Sequence, residues 1–394
     1  MRWRGFLNAA FGVWLISGPL TFGTKSTELF WSDIICGLIA IIIGLLTVHF
    51  PLLAWITAII GIWLQMAPLI FWAPEASTYL NDTFIGLMFL LFSIVIPDTP
   101  GAPESKGAEV PPGWTFNPSS YLQRIPIIFF NLVCWLISRY LGAYQLGYID
   151  HVWDPFFTPG TVAVLTSDVS KAFPVPDAAL GATAYLLEAI FAFGDTRRWH
   201  TMPWFVLMFG ILAVPVTCVS VILVILQPTI VGAWCTLCLF NASMMLFIVP
   251  FAIDEVFATL QFMKHAKDRG ESFWKTFWGG TAVIPGPADP RVPDYNASYC
   301  KLYEAMRWGI TFPWNLALTA ALGIGAMFMG AFIPGALITF FSVLSCSEVI
   351  RKLRFVIIPL GVWLAFLNPI VGIAAIALCL RKGPIREKYG AYTP

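Results

Sequence analysis

Long apolar segments separated by short polar breaks constrain the fold of this chain more than any other feature. A helix needs about 20 mostly apolar residues to cross the hydrocarbon core of a bilayer. The sequence is 58% hydrophobic and only 11% charged, whereas about a quarter of the residues in a soluble domain are charged. We therefore predict an all-α, polytopic membrane protein, surrounded by membrane lipid, with about 11 to 12 transmembrane helices.

The predicted spans fall into three blocks, separated by two polar connectors. We expect a four-helix membrane block at 1–97, a Pro/Gly-rich linker at 98–124, a central four-helix core at 125–255, an amphipathic and proline-rich connector at 256–309, and a carboxyl-terminal membrane block with a basic tail at 310–394. The charged stretch at 254–277 either lies on the inner membrane surface as an amphipathic helix or continues the preceding span into the cytoplasm.

The first block contains an internal repeat. GVWLISGP at 12–19 returns as GIWLQMAP at 61–68, and the same shift of 49 residues carries Asp33 onto Asp82. A repeat of this length indicates a supersecondary unit copied in tandem. These segments resemble the SPW-repeat family of small membrane domains, with SGP and MAP in place of the Ser-Pro-Trp signature, and GVWLAFLNP at 361–369 is a later echo. The resemblance implies no chemistry.

Basic residues set the expected orientation, because cytoplasmic loops are enriched in Lys and Arg. Arg2 and Arg4 place the amino terminus inside a membrane that we expect to be a bacterial-type cytoplasmic membrane. Alternating spans then place the loop at 149–177 and the corner at 227–235 outside. An odd number of spans would leave the basic tail outside as well. We expect that tail inside, so either a further span or re-entrant element follows residue 276 or one span is miscounted. The net charge of +1 gives no indication of a nucleic-acid partner.

Residues 232–241, GAWCTLCLFN, place Cys235 and Cys238 three positions apart at the entrance of a predicted span. On a helix, Cβ atoms at this spacing lie about 5 to 6 Å apart, whereas a disulfide needs about 3.5 to 4.5 Å, so a bond would require a tightened first turn. Strained disulfides are the easily reduced ones. The spacing therefore suits a reversible dithiol, on the outer side where disulfides persist. If the helix already begins at Pro228, the pair lies two turns inside it and the helix dipole adds little.

The run WCTLCLFNA at the start of a membrane helix resembles the last core helix of the vitamin K epoxide reductase family. The segment at 164–185 also resembles that family's connection between its first and second core helices, with Pro-x4-Gly-x3-Tyr falling on Pro176, Gly181 and Tyr185. The resemblance covers about residues 125–255. It implies a four-helix core of a membrane thiol oxidoreductase that couples a C-x-x-C pair to a quinone.

By this resemblance, Cys238 would face the quinone and Cys235 would exchange disulfides with a second thiol pair. The family usually carries that second pair in its outer loop, but the loop at 149–177 contains no cysteine. An aromatic residue that the family often places one turn after its second cysteine is replaced by Ala242. An internal relay is therefore excluded. We expect a thioredoxin-like thiol partner on the outer side to reach Cys235 directly.

The resemblance places the quinone site around the second core helix. Asp177 falls where the family has a small polar residue that hydrogen-bonds a quinone carbonyl, and Gly181 and Tyr185 lie on the same helical stripe. Together with Trp234, these are the residues that we expect at the cofactor site. Asp177 could also cap its helix, and the two roles are compatible.

Glu188 continues the same stripe deeper into the span. An ionisable residue at membrane depth is costly and needs a partner. We expect that partner to be Arg139 or one of the adjacent residues Arg197 and Arg198.

The remaining polar and cysteine residues indicate structure rather than chemistry. Asp150, His151 and Asp154 could ligate a metal, but one histidine with two carboxylates in a loop is more often hydrogen-bonded surface, so we predict no metal site. Six of the eight cysteines lie outside the C-x-x-C pair. A free cysteine is often a small buried hydrophobic residue, and we interpret these six in that way.

Three functions are compatible with these features. The leading hypothesis is a thiol-disulfide/quinone oxidoreductase that uses Cys235 and Cys238. The alternative is a non-catalytic membrane protein that binds a quinone, a lipid or a partner protein through the same core, which the missing loop cysteines favour. Transport would require polar residues along the centre of several spans, and the sequence offers few. The first two hypotheses differ in whether the redox state of the pair responds to quinone.

Overall fold

The computed structural model describes residues 3–96, 99–101, 110–111 and 116–280. Within these residues the chain is helical and contains no strand. Seven helices of this part of the chain are long and apolar enough to cross a membrane. The predicted all-α, polytopic membrane fold is therefore confirmed. The predicted carboxyl-terminal block at 310–394 lies outside the described residues, so the total number of spans stays a prediction.

Four membrane-length helices form the front block. Ser26 starts the second of them, because its hydroxyl oxygen accepts a hydrogen bond from the backbone N–H of Leu29 at 3.2 Å and so satisfies an amide that the helix itself leaves free. The fourth helix ends in a wider, π-helical turn at Leu91–Val95. The four helices are α1 (Trp3–Phe22), α2 (Thr27–Leu46), α3 (Ala54–Ile70) and α4 (Ala76–Leu90).

Glycines bring the two helices of each repeat into direct backbone contact. A Cβ atom added at Gly12 would lie 2.8 Å from the carbonyl oxygen of Gly37, and one added at Gly61 would lie 2.8 Å from that of Gly86. Small residues permit such close approach between membrane helices, where packing drives association. Because the two contacts are equivalent, the repeat in the sequence is also a repeat in the structure.

Hydrogen bonds join the two repeats in an equivalent way. The indole N–H of Trp14 donates to the side-chain oxygen of Asn81 at 3.0 Å, and that of Trp63 donates to the hydroxyl of Ser32 at 2.9 Å. The 49-residue shift relates both partners, since 14 + 49 = 63 and 32 + 49 = 81. Each repeat therefore reaches the same position of the other, which is the pattern of a pseudo-twofold axis.

Seven further helices follow the linker within the described residues up to 280. The second core helix, α7, has 15 residues and is shorter than the other core helices that cross the membrane. The last core helix continues to Asp268, so the stretch at 254–277 begins as a continuation of the preceding span and not as a separate surface helix. The helices are α5 (Tyr121–Gln145), α6 (Gly160–Leu165), α7 (Asp177–Phe191), α8 (Arg198–Thr201), α9 (Pro203–Leu226), α10 (Thr236–Asp268) and α11 (Phe273–Gly279).

The chain divides into two compact units. One contains residues 1–102, 128–194 and 219–242, and we call it the cysteine unit. Of the described residues, the other contains 110–111, 116–127, 195–218 and 243–280, and we call it the ion-pair unit. The helices α5, α9 and α10 each contribute to both units.

Within the cysteine unit, the front block packs against α5, the turn that follows it, and α7. The hydroxyl of Tyr148 donates to the carbonyl oxygen of Ala73 at 2.6 Å. The guanidinium of Arg139 lies over the ring of Tyr79, 5.1 Å from its centroid, and Tyr79 shares a buried apolar cluster with Ala179 of α7. These contacts join the repeat block to α5 and α7.

The ion-pair unit is built around a buried arginine and glutamate. Arg198 donates two hydrogen bonds of 2.6 Å to the carboxylate of Glu255, and both side chains are fully buried. The hydroxyl of Ser119 donates a third bond to Glu255 at 2.6 Å. Removal of one partner of a buried pair costs about 3–5 kcal/mol, because the other charge is left uncompensated. This pair therefore fixes the start of α8 against α10.

The glycine contacts predict a steric test of the front block. In Gly86→Ala the new methyl group would lie 2.7 Å from the Gly61 carbonyl oxygen, so α3 and α4 must separate. We expect a loss of about 1–3 kcal/mol, the usual cost of overpacking, in unfolding by a denaturing detergent. Gly181→Ala in α7 is the control, because its methyl group would meet its nearest neighbour at an ordinary 3.6 Å. Equal stability of the two variants would contradict the close helix contact.

Candidate redox site

The chain breaks between two long helices just before the cysteine pair. α9 ends in a π-helical turn, Gln227–Val231, and Gly232 follows in a left-handed conformation with φ of 71°, which glycine adopts at little cost. The next helix, α10, begins at Thr236. The alternative in which this helix already begins at Pro228 is therefore excluded.

Cys235 occupies the N-cap position of α10. Its carbonyl oxygen accepts a hydrogen bond from the backbone N–H of Leu239 at 3.1 Å, and its sulfur accepts one from the backbone N–H of Cys238 at 3.1 Å. The side-chain oxygen of Gln227 accepts a bond from the N–H of Cys235 at 2.9 Å. The pair thus lies in the first turn, where the free amides of a helix stabilise negative charge.

The two cysteines form a disulfide, with sulfur atoms 2.15 Å apart and Cα atoms 5.3 Å apart. Their exposure differs, because Cys235 is fully buried and Cys238 is only partly buried. Leu141 of α5 and Leu165 of α6 pack around them in one apolar cluster. Cys238 is therefore the more accessible sulfur in this structure.

A loop at residues 149–166, which we call the cover loop, is fastened to the start of α10 by one carboxylate. Asp154 accepts hydrogen bonds from the hydroxyl of Thr236 at 2.5 Å and from the backbone N–H groups of Phe157 at 3.1 Å and Thr161 at 2.9 Å. Partial burial raises the pKa of Asp154, but these bonds, the one from Thr236 foremost, bring it below its usual value. The fastening is therefore complete at neutral pH and is lost only as the pH falls through that lowered pKa.

The cover loop also packs directly on the residue before Cys235. A Cβ atom added at Gly160 would lie only 2.2 Å from the carbonyl oxygen of Trp234, so only glycine fits here. The rings of Phe157 and Trp234 face each other with centroids 6.2 Å apart. Trp234, one of the residues expected at the quinone site, is therefore in contact with the cover loop.

The hydrogen bonds of Asp154 also bear on the possible metal ligands of this loop. Of the three residues, Asp154 makes these hydrogen bonds, and the expectation that the loop holds no metal site stays a prediction. Among the residues that the structure describes, no group of three or more His, Cys, Asp or Glu side chains could hold a metal ion.

Asp177 begins α7, directly after Pro176 at the N-cap position. One of its carboxylate oxygens accepts hydrogen bonds from the side-chain amide of Gln145 at 2.5 Å, the hydroxyl of Ser170 at 2.9 Å and the backbone N–H of Ala178 at 2.8 Å. Asp177 therefore acts as an acceptor in the first turn, close to the capping role considered from the sequence, and it ties α7 to α5.

The other two residues of the expected stripe lie beside different helices, Gly181 beside α5 and Tyr185 beside α9. A Cβ atom added at Gly181 would lie 3.9 Å from the hydroxyl of Ser138. The hydroxyl of Tyr185 shares a hydrogen bond with that of Ser220 at 3.3 Å. Asn241, one turn after the cysteine pair, donates to Ser138 at 2.8 Å. Polar groups from all four core helices thus meet beside the disulfide end of α10.

Glu188 is fully buried beside Asn131 of α5. Its carboxylate oxygens have no hydrogen-bond partner among the residues that the structure describes. The expected ion pair with Glu188 is wrong for Arg139 and for Arg198, because both make other contacts. Arg139 stacks on aromatic rings instead, and Arg198 forms the ion pair described above.

Three residues that build the site were missed in the sequence analysis or given another role. Gln227 is a single amide at the end of an apolar run, directly before Pro228, and its position there was the available signal. Asp154 was considered only as a metal ligand. Gly160 follows Pro159 in a loop rich in turn residues, and its contact with Trp234 depends on a tertiary approach that no local pattern encodes.

The segment that holds the disulfide, the break and the polar stripe coincides with a family match. Residues 125–253 match the Vitamin K epoxide reductase family. Residues 2–96 match the SPW repeat domain. No curated protein and no solved structure matches the chain. Both resemblances noted in the sequence are thereby confirmed, and the first suggests a membrane thiol oxidoreductase.

The fastening by Asp154 predicts how the cover loop controls Cys235. In Asp154→Ala the loop loses its three hydrogen bonds, so we expect the reduced Cys235 thiol to be alkylated several-fold faster than in the unaltered protein. Mass spectrometry of the labelled peptide measures this rate. Asp150→Ala removes an exposed carboxylate from the same loop and serves as the control. Equal rates in the two variants would show that Asp154 does not hold the loop closed.

Proposed function

We propose that this protein is a membrane thiol-disulfide/quinone oxidoreductase. The observation that carries the proposal is the Cys235–Cys238 disulfide in the first turn of α10, inside the segment that matches the Vitamin K epoxide reductase family. A partner dithiol reduces the disulfide and becomes a disulfide itself. The resulting Cys235/Cys238 dithiol passes two electrons and two protons to a quinone, which becomes a quinol while the disulfide re-forms. The reverse direction balances equally.

The two sulfurs have different roles in this proposal. Cys238 faces the quinone, which its partial exposure and its contacts with α5 and α7 support. Cys235 exchanges disulfides with the partner. Because Cys235 is fully buried beneath the cover loop, that exchange requires the loop to move away, and the hydrogen bonds of Asp154 determine how readily it does so.

The polar stripe on α7 supports the quinone end of the proposal. Asp177 is engaged as an acceptor with Gln145, so it orients that amide and does not itself donate to a quinone carbonyl. Tyr185 and Ser220 share one hydrogen bond in which either hydroxyl can donate, so the phenol of Tyr185 is a possible donor for a carbonyl oxygen that enters beside it. Gly181 leaves space beside this pair. We assign Tyr185 as the donor and Asp177 as a positioning residue.

The partner in this proposal is a thioredoxin-like protein on the outer side of a bacterial-type cytoplasmic membrane. The cover loop and the residues up to 177 contain no cysteine, so in this proposal the second thiol pair belongs to another chain. The charge distribution supports an inside amino terminus, which places the first turn of α10 at the outer face.

A non-catalytic role is the second candidate. The complete burial of Cys235 favours it, together with the absence of loop cysteines. In that case the core binds a quinone, a lipid or a protein and the disulfide is structural.

Trapping of a mixed disulfide in intact membranes separates the two candidates. In Cys238→Ser, the Cys235 thiolate attacks the disulfide of the oxidised partner and displaces one of its sulfurs, and Cys238 is no longer present to resolve the mixed disulfide. We therefore expect a reductant-sensitive adduct on non-reducing gels. Cys235→Ser should give several-fold less adduct. Cys218→Ser, which removes an exposed free thiol, should behave like the unaltered protein. Equal or absent adducts in the first two variants would contradict thiol exchange at Cys235 and favour the non-catalytic role.

A further inference from the structure

The front block holds two buried carboxyl groups that its repeat makes equivalent. Asp33 lies on α2 and Asp82 on α4, separated by the same 49 residues as the repeats, since 33 + 49 = 82. Their exposed fractions are 1% and 0%, and both helices are membrane-length. Ionisable residues at this depth are costly and usually functional.

The two carboxyl groups meet each other. Their helices bring them side by side, since Cys36 and Ile85, each three residues further along the same two helices, belong to one buried cluster, and each carboxyl group interacts with the other. Neither oxygen of Asp33 meets a donor among the described residues, and Asp82 receives a single bond, from Asn81 at 3.3 Å. Two ionised carboxylates are acceptors only. A hydrogen bond between them therefore requires a proton on one of the two.

The charged and titratable groups around the pair do not compensate two negative charges. Cys36, which follows Asp33 on α2, faces the pair. The only ionisable side chain of α1 is Arg4, which lies near Gly44 at the other end of α2, because Gly5 packs there. Within its bounds α3 has no ionisable side chain. On α4, Tyr79 lies under the guanidinium of Arg139, which also stacks on a second ring.

The hydrogen bonds between the repeats hold the two carboxyl groups in place. Ser32 and Asn81 directly precede Asp33 and Asp82 in the chain, and each accepts a bond from a tryptophan of the other repeat. Displacement of either carboxyl group would therefore disturb one of these two equivalent tryptophan hydrogen bonds. The pair is fixed at the pseudo-twofold axis.

We propose that Asp33 and Asp82 form a proton-binding site in which one proton is shared between the two repeats. The ligand is the proton itself, held at membrane depth by a symmetric carboxyl pair of the kind that lets membrane proteins accept and release protons. This site belongs to the segment that matches the SPW repeat domain. It is independent of the cysteine pair and of its proposed reaction.

Infrared spectroscopy of the full chain in lipid nanodiscs tests the site. We expect a carbonyl band from a protonated carboxyl group. The band should shift when the aspartate carboxyls carry ¹³C, and this shift assigns it to aspartate in the unaltered protein. Asp33→Asn and Asp82→Asn should each remove that band while the fold is kept, because the amide supplies the hydrogen that the shared proton supplied. Asp150→Asn, which changes an exposed carboxylate, should leave the band in place.

A bound monovalent cation is the alternative that the same preparation detects. Thermal unfolding in sodium, potassium and choline salts should give equal midpoints if the pair holds a proton. A midpoint that rises with sodium or potassium and falls in Asp33→Asn would overturn the proposal. The absence of an aspartate-derived protonated-carboxyl band in the unaltered protein would overturn it as well.

Discussion

The hydrogen bond from the backbone N–H of Cys235 to the side chain of Gln227 holds the break between α9 and α10. A backbone amide without a partner is expensive in a membrane, so a chain can interrupt its helices there only where side chains replace the lost bonds. Gln227 does so on one side of the break, and the N-cap geometry of Cys235 does so on the other. Everything that distinguishes the two sulfurs follows from this break.

The cover loop depends on the same break. Thr236 is the first residue of α10, and its hydroxyl reaches Asp154 only because the helix begins there. The loop packs on the fully buried Cys235, while Cys238 is partly exposed and packs against α5 and α7. One interruption of a helix thus gives two neighbouring cysteines different access, which a reaction with two different substrates requires.

The front block shows a different solution to packing in lipid. Its glycine contacts bring backbones together within each repeat, while Trp14 and Trp63 connect the repeats through hydrogen bonds. The same symmetry brings Asp33 against Asp82. A duplicated sequence therefore creates, at its axis, a polar contact that a single copy could not form.

Much of this fold follows from sequence, because apolar runs fix the spans and the 49-residue shift fixes the repeat. The disulfide pair and the stripe of Asp177 and Tyr185 were also identifiable, since their spacing is local. The pairing of Arg198 with Glu255 was not identifiable, because the two residues are 57 positions apart and nothing in the composition indicates that they pair. The burial of Cys235 escaped prediction for a similar reason, because it results from a loop that approaches through Gly160.

A stoichiometric reaction of the purified protein shows whether the disulfide exchanges electrons with a quinone. The chain, reduced and freed of reductant, is mixed with a quinone in lipid nanodiscs without oxygen, and the quinol is measured by its absorbance. We expect one quinol per chain, the return of both thiols to the disulfide, and no quinol from Cys235→Ser/Cys238→Ser. Thiols that stay reduced in the presence of quinone, or quinol that forms equally with the double variant, would contradict this exchange.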